Sequence, residues 1–177
     1  MSLQLSEPRI FTAEYIKRAA VAWESFLADG VCAPGLVRDA ILDSWKRCLG
    51  FGVPPSLKKA PVEATAGEDL RFFQDRHKDL LSAAAQSVAP LSEVLSQSSS
   101  LLIVADARGV ILECRGDESV MAHAEKTNIR PGGNWNEAAC GTNAVGTALA
   151  LGRPVHVNAS EHYCEGVKNW ACSAAPI

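Results

Sequence analysis

An α+β fold is predicted for this 177-residue chain, and three observations predict it. The first half repeats its apolar residues at helical spacing. From Leu101 the period changes to that of strands, with a tight turn between two runs. Near the end, a helix bounded by small residues and breakers leads into two further strand-like runs. Strands clustered with helices between them, and joined by a hairpin, indicate a largely antiparallel sheet.

The first helix is predicted over 12–28. Tyr15, Ile16, Ala19, Ala20, Trp23, Phe26 and Leu27 mark one face, and Gly30 suits a left-handed cap. A second is predicted over 34–49, because Pro34 fits a first helical turn. Its stripe is Leu36, Val37, Ala40, Ile41, Trp45 and Cys48, with Gly50 as the stop. Residues 51–56 are rich in breakers and read as a connector.

A third, long helix is predicted over 67–96. Leu70, Phe73, His77, Leu80, Ala84, Val88, Leu91 and Leu95 recur in steps of three and four, close to a heptad seam. Two readings stand: a helix packed on its own domain, or one that also pairs with a second subunit. Pro90 removes a backbone donor and is expected to kink or split it. His77 reads as a satisfied buried histidine rather than a ligand.

Leu101 to Ala105 is a continuous apolar run, as in a strand covered on both faces. Asp106 and Gly109 suit the first and last places of a turn. Val110, Leu112 and Cys114 then alternate with Ile111, Glu113 and Arg115, completing a hairpin. Asp117 or Ser119 caps a short helix to Ala124. Residues 128–134 form a loop. Thr142 or Asn143 caps a helix to Leu151, which Gly152 and Pro154 end. Val155 and Val157 alternate with His156 and Asn158 as a strand, 160–169 is a short helix or ordered loop, and 171–177 is a last strand. A sheet ending there exposes an unpaired edge, so either the chain is truncated or another subunit supplies a strand.

A formal net charge of −3 offers no basic footprint, which argues against direct nucleic-acid binding. No apolar run approaches the roughly 20 residues that span a bilayer. Met1 to Pro8 lack the regions of a signal peptide, and the expected location is the cytoplasm. The cysteines at 32, 48, 114, 140, 164 and 172 then read as free thiols that pack like small hydrophobes. Cys140, His162, Cys164 and Cys172 are a weak metal-ligand candidate set, and the same thiols are candidate redox sensors.

Several motifs carry a resemblance in combination. They are Trp135 with Glu137, then Gly141-Thr-Asn-Ala-Val-Gly-Thr-Ala-Leu149, Pro154-Val-His-Val157, Glu161-His-Tyr163 and Cys172-Ser-Ala-Ala-Pro-Ile177, with Ser44-Trp-Lys-Arg-Cys48 upstream. Together they resemble the GAF sensor domain, and its preceding helix, of acetoin- and dihydroxyacetone-type sigma-54-dependent transcriptional activators. The resemblance implies a GAF-like antiparallel sheet of about five or six strands with flanking helices, preceded by an N-terminal helical region. The division expected is an N-terminal helical region over 1–66, a linking and dimerising helix over 67–99 and a sensor domain over 100–177. It also implies a non-enzymatic domain that senses a small-molecule effector, or a partner protein, and forms a homodimer through its N-terminal helices. RNA polymerase and DNA would be reached only through further domains. No Gly-x-x-x-x-Gly-Lys-Ser/Thr loop occurs, so no ATPase chemistry is assigned here.

The candidate ligand-binding residues are Trp135, Glu137, Thr142, Asn143, His156, His162 and Tyr163, with no catalytic residue. Trp135, after Gly132 and Gly133, is either a pocket wall or a core anchor. A buried Glu137 needs donors, which the backbone of the Gly141 turn is expected to supply. The effector is expected between the sheet and the segment from Trp135 to Leu149.

Overall fold

The computed structural model describes residues 12–63 and 68–177. The signal-peptide reading of Met1 to Pro8, and Gly67 at the start of the third predicted helix, lie outside them.

Helix α1 is Ala13–Asp29. Thr12 caps it by accepting from the Tyr15 N–H at 3.1 Å, and Gly30 closes it in the left-handed region at φ 70°. Tyr15, Ala19, Ala22 and Phe26, one face at steps of four, three and four, are buried. Helix α2 is Asp39–Gly50, later than the predicted start at 34. Gly35 sits at φ 78°, which a right-handed helix cannot contain, so Pro34 belongs to a turn.

The single long helix is not formed. In its place are α3 (Glu68–Asp75), α4 (Lys78–Val88), one 3-10 turn (Ala89–Leu91) and α5 (Ser92–Gln97). The break at Pro90 follows from its missing N–H. The break at His77 has a different cause. Its ring turns back, with Nδ1 2.9 Å from the Phe73 carbonyl, and the backbone leaves the helical region at φ −116°, ψ 19°. Of the described stripe residues only Val88 is buried, and Leu70, Phe73, Leu80, Ala84 and Leu95 are half-buried.

Strands β1 (Leu101–Ala105) and β2 (Ile111–Gly116) form the predicted hairpin. Leu102 faces Arg115 and Val104 faces Glu113, with a bulge between Val104 and Ala105. Asp106 Oδ1 accepts from the N–H groups of Arg108 and Val110, each at 2.9 Å, and fixes the turn. Of the two candidate caps, Asp117 starts α6 (Glu118–Glu125). Short α7 (Glu137–Cys140) is followed by α8 (Ala144–Leu151), capped by Asn143, not Thr142. Asn143 Oδ1 takes the Gly146 N–H at 2.9 Å.

Strands β3 (Val155–Asn158) and β4 (Ala171–Ala174) pair antiparallel, joined through two 3-10 turns. The fold is α+β, with helices around small antiparallel sheets. Among the described residues these are two separate two-stranded ladders, not one sheet of five or six strands. The helical region and the sheets share one core. Phe26, Ile41 and Trp45 lie in the same buried cluster as Ile111, Trp135, Val157 and Tyr163, and the rings of Phe26 and Trp45 are 5.7 Å apart.

Candidate functional site

The sequence-predicted residues gather around two buried carboxylates, each held by an arginine from the N-terminal region. Glu161 is fully buried. It accepts from Tyr15 Oη at 2.5 Å, from Arg38 Nε at 2.8 Å and Nη2 at 2.6 Å, and from the Asn158 N–H at 2.8 Å. Two donors from one guanidinium fix both distance and plane. Burial, then the neighbouring Glu161, pushes the Tyr15 phenol up to about 12. Trp45 Nε1 donates to the Glu161 carbonyl at 2.7 Å, and Trp23 Nε1 to that of Tyr163 at 2.9 Å. The segment from Glu161 to Tyr163 is thus strapped to α1 and α2.

Glu137 is the second. Arg47 Nε and Nη2 reach it at 2.7 and 2.9 Å, and Ser44 Oγ at 2.5 Å. Its donors are side chains, chiefly of α2 with Thr147 of α8, not the backbone of the Gly141 turn. Burial alone would raise its carboxyl. The hydrogen bonds from Arg47 and Ser44 overcome this and hold it below the usual range. The Ser44 hydroxyl also lies 2.7 Å from that of Thr142, which brings Glu137 and Thr142 into one network.

Trp135 anchors the loop. Its Nε1 donates to the Asn128 carbonyl at 3.1 Å, and its own carbonyl accepts from Asn143 Nδ2 at 2.9 Å. His156 stands on the other face of β3, with Nδ1 2.7 Å from Ser173 Oγ. His162 is fully buried and donates from Nδ1 to the Ala159 carbonyl at 3.0 Å. Burial brings its pKa down to about 4, so it is neutral at pH 7. Its Nε2 and the Tyr163 hydroxyl have no hydrogen-bond partner among the described residues.

No group of three His, Cys, Asp or Glu able to hold a metal occurs among the described residues. The described cysteines are free thiols. Burial pushes Cys164 and Cys172 up to about 12 and Cys140 well above its ordinary value, which leaves little reactive thiolate at neutral pH.

Two larger cavities lie away from this cluster. Around Trp135, Cys140 and Cys164 the cavity volume is only about 10 Å³, too small for more than a water molecule. A cleft of about 600 Å³ opens where α6 meets the starts of β1 and β4. Its wall is the ring pair of His123 and Trp170, with centroids 5.5 Å apart, and its rim carries Ser99, Ser100, Ser119 and Asn169. A deeper groove of about 750 Å³ runs between β1 and the β4 end, with α4 and α8 as walls. None of the seven predicted ligand residues lines the cleft or the groove. Sequence reasoning missed Trp170 and His123, which lie far apart in the chain and meet only through folding. Arg38 and Tyr15 carried no motif signal either.

Comparison with known proteins adds the last observation. Residues 16–177 match the family described as the MimR N-terminal domain. The acetoin dehydrogenase operon transcriptional activator AcoR of Bacillus subtilis is 34% identical over 155 residues, which is 88% of this chain and 26% of that protein. The propane 2-monooxygenase operon transcriptional activator MimR of Mycolicibacterium smegmatis is 30% identical over 159 residues, again 88% and 26%. The chain thus spans about a quarter of the length of these relatives. Among solved structures, the Escherichia coli DhaR(N)-DhaL complex superposes with a TM-score of 0.71 at 22% identity, over 79% of this chain and 47% of that one. The likeness is one of fold.

Proposed function

We propose a function from the premise that this chain belongs to the MimR N-terminal domain family: it is the signal-input region of a bacterial sigma-54-dependent transcriptional activator. In this reading it works in the cytoplasm, does no covalent chemistry, and responds to a small-molecule effector. DNA and RNA polymerase are contacts of other domains of such a protein. The chain forms a homodimer through its N-terminal helices.

The observation that carries the effector reading is the cleft at Trp170. An aromatic wall facing hydroxyl and amide groups suits a small molecule with an apolar body and one or two polar groups, and about 600 Å³ falls in the range of such sites. The Trp170 carbonyl accepts from the Ala159 N–H at 2.9 Å, only two residues from Glu161. An effector that favours one position of Trp170 therefore biases the segment strapped to α1 and α2. It shifts that equilibrium only by its differential affinity for the two states. Glu137, Thr142, Asn143, His156, His162 and Tyr163, with Trp135, frame the interior that carries the bias.

The test is calorimetric titration with small hydroxyketones, diols and aromatics, read together with tryptophan fluorescence. Binding should weaken about tenfold or more in Trp170→Ala. Full affinity in that variant removes the cleft as the site. No binding by the folded chain, with unchanged sedimentation, removes the small-effector reading. A second reading, in which the signal is a partner protein, is favoured by the structural neighbour, which is a DhaR(N)-DhaL complex.

A further inference from the structure

The chain between α2 and α3 is more than a connector. Residues 60–63 clasp both limbs of the loop that follows α6. On the first limb the Ala60 N–H bonds the Thr127 carbonyl at 3.0 Å, and Asn128 Nδ2 bonds the Ala60 carbonyl at 2.7 Å. On the second limb the Asn134 N–H bonds the Pro61 carbonyl at 2.8 Å, and the Glu63 N–H bonds that of Gly132 at 2.9 Å. That limb pairs in turn with the hairpin. The Ile111 N–H bonds the Gly133 carbonyl at 2.9 Å, and the Trp135 N–H bonds that of Gly109 at 2.8 Å. Val62 thus faces Gly133, and Asn134 faces Val110.

The clasp has a helix at each end. Thr127 and Asn128 follow α6 directly, and the Thr127 N–H bonds the Ala124 carbonyl at 3.0 Å. At the other end Glu63 Oε2 lies 3.3 Å from Arg108 Nη1, and the same guanidinium stands 5.5 Å over the Phe73 ring of α3. Gln74, also of α3, donates from Nε2 to the Leu112 carbonyl at 2.8 Å. Asn128 joins the parts. It sits in the left-handed region at φ 62°, which asparagine tolerates better than most residues. Its carbonyl accepts from Trp135 Nε1 at 3.1 Å while its side chain donates to Ala60. A Cβ on Gly133 would run into that carbonyl, so the two limbs close on each other only because glycine stands there.

We infer that residues 60–63 are a latch that couples the position of α6 to that of α3, with Asn128 as the positioning residue that seats it. While the latch is seated, a shift of α6 displaces Thr127 and Asn128. It then passes through Ala60 to Glu63, and by Arg108 to Phe73. Once the latch is released, the same shift ends in the loop. A route of this kind has physical content only through an element with two arrangements, and here these are the seated and the released segment. Because α6 carries the His123 wall of the cleft, the latch gives α3 a link to that cleft that does not pass through Glu161. That use rests on the effector reading of the cleft; the coupling itself does not.

Amide hydrogen exchange of the 177-residue chain, read residue by residue by NMR, tests the latch. Asn128→Gly keeps the left-handed backbone and Asn128→Asp keeps the side-chain shape, but neither donates to the Ala60 carbonyl. In both variants the Ala60 and Glu63 amides should exchange about tenfold faster while those of α2 stay as they were. Asp117→Ala then perturbs α6, by removing the carboxylate that accepts from the Ser119 and Val120 N–H groups. It should speed exchange at Phe72, Phe73 and Gln74 about threefold or more when Asn128 is present. In the Asn128→Gly background it should leave α3 as it was. Unchanged exchange at Ala60 and Glu63 in either Asn128 variant overturns the latch. An equal response of α3 to Asp117→Ala with and without Asn128, or no response in either, overturns the coupling. Faster exchange that includes α2 to the same extent is a loss of global stability and overturns it too. Binding of a molecule at Trp170 is decided separately, by the calorimetry above.

Discussion

Removal of the Arg38 guanidinium tests whether the Glu161 strap holds the helical region to the sheets. Arg38→Met keeps most of the stem and removes the charge. Glu161 then keeps two of its four donors, Tyr15 Oη and the Asn158 N–H, inside a site where its side chain is 0% exposed. Breaking one partner of a buried pair costs about 3–5 kcal/mol. Arg38 is 20% exposed and two neutral donors remain, so the lower end, about 3 kcal/mol, is expected. Equilibrium urea unfolding followed by circular dichroism reads this. With a slope of about 2 kcal/mol/M, the midpoint falls by about 1.5 M. Adding Glu161→Gln to the variant should recover about 1–2 kcal/mol, because the amide removes the uncompensated charge, its oxygen still accepts from the Asn158 N–H, and its NH2 can donate to the Tyr15 hydroxyl, which reverses that bond. A loss under about 1 kcal/mol in the single variant, or a double variant weaker than the single, would refute the argument that this pair fastens the two regions.

Two further outcomes follow from the same interior. His162 is held at about 4, below its ordinary 6.5, so the unfolded chain binds the extra proton between those values. Stability is full above pH 6.5 and falls as pH drops toward 4, by about 2 kcal/mol at pH 5; His162→Gln should flatten that part of a stability-versus-pH curve measured by urea. Gly141 sits at φ 77°, and a Cβ there would lie 2.9 Å from Cys164 Sγ and 3.0 Å from Tyr163 Cβ. Gly141→Ala should therefore cost about 2–4 kcal/mol, and Gly152→Ala, at φ 62° with open space around it, only about 1 kcal/mol, as thermal unfolding of the two would show.

Local features were legible wherever the cause is local. The hairpin followed from an apolar run, a turn with Asp106 and Gly109, and an alternating run, and it forms, with a bulge between Val104 and Ala105. Asn143 and Asp117 cap helices because a short oxygen-bearing side chain meets a free N–H two or three residues on. The helix over 34–49 was mis-started, because Pro34 suits a helical turn but Gly35 beside it takes a left-handed conformation. The long helix failed at His77, where a ring-to-backbone contact competes with the helical ladder and heptad spacing gives no warning of it. The cavities were illegible for a simpler reason: Trp170 and His123 lie 47 positions apart in the chain, and periodicity says nothing about such meetings.

Composition and spacing by themselves determined a mixed helix-and-strand chain with a net charge of −3, small-residue helices and free thiols, because hydrophobic period, turn chemistry and charge act over a few residues. Tertiary structure alone decided that Glu137 and Glu161 are gripped by Arg47 and Arg38 across 90 and 123 positions of sequence. It also decided that six of the seven residues marked for a ligand are buried in the interior and that His156 is only half-buried. Those outcomes depend on which distant surfaces dock, and docking is set by the shared core around Trp45, Ile111 and Tyr163.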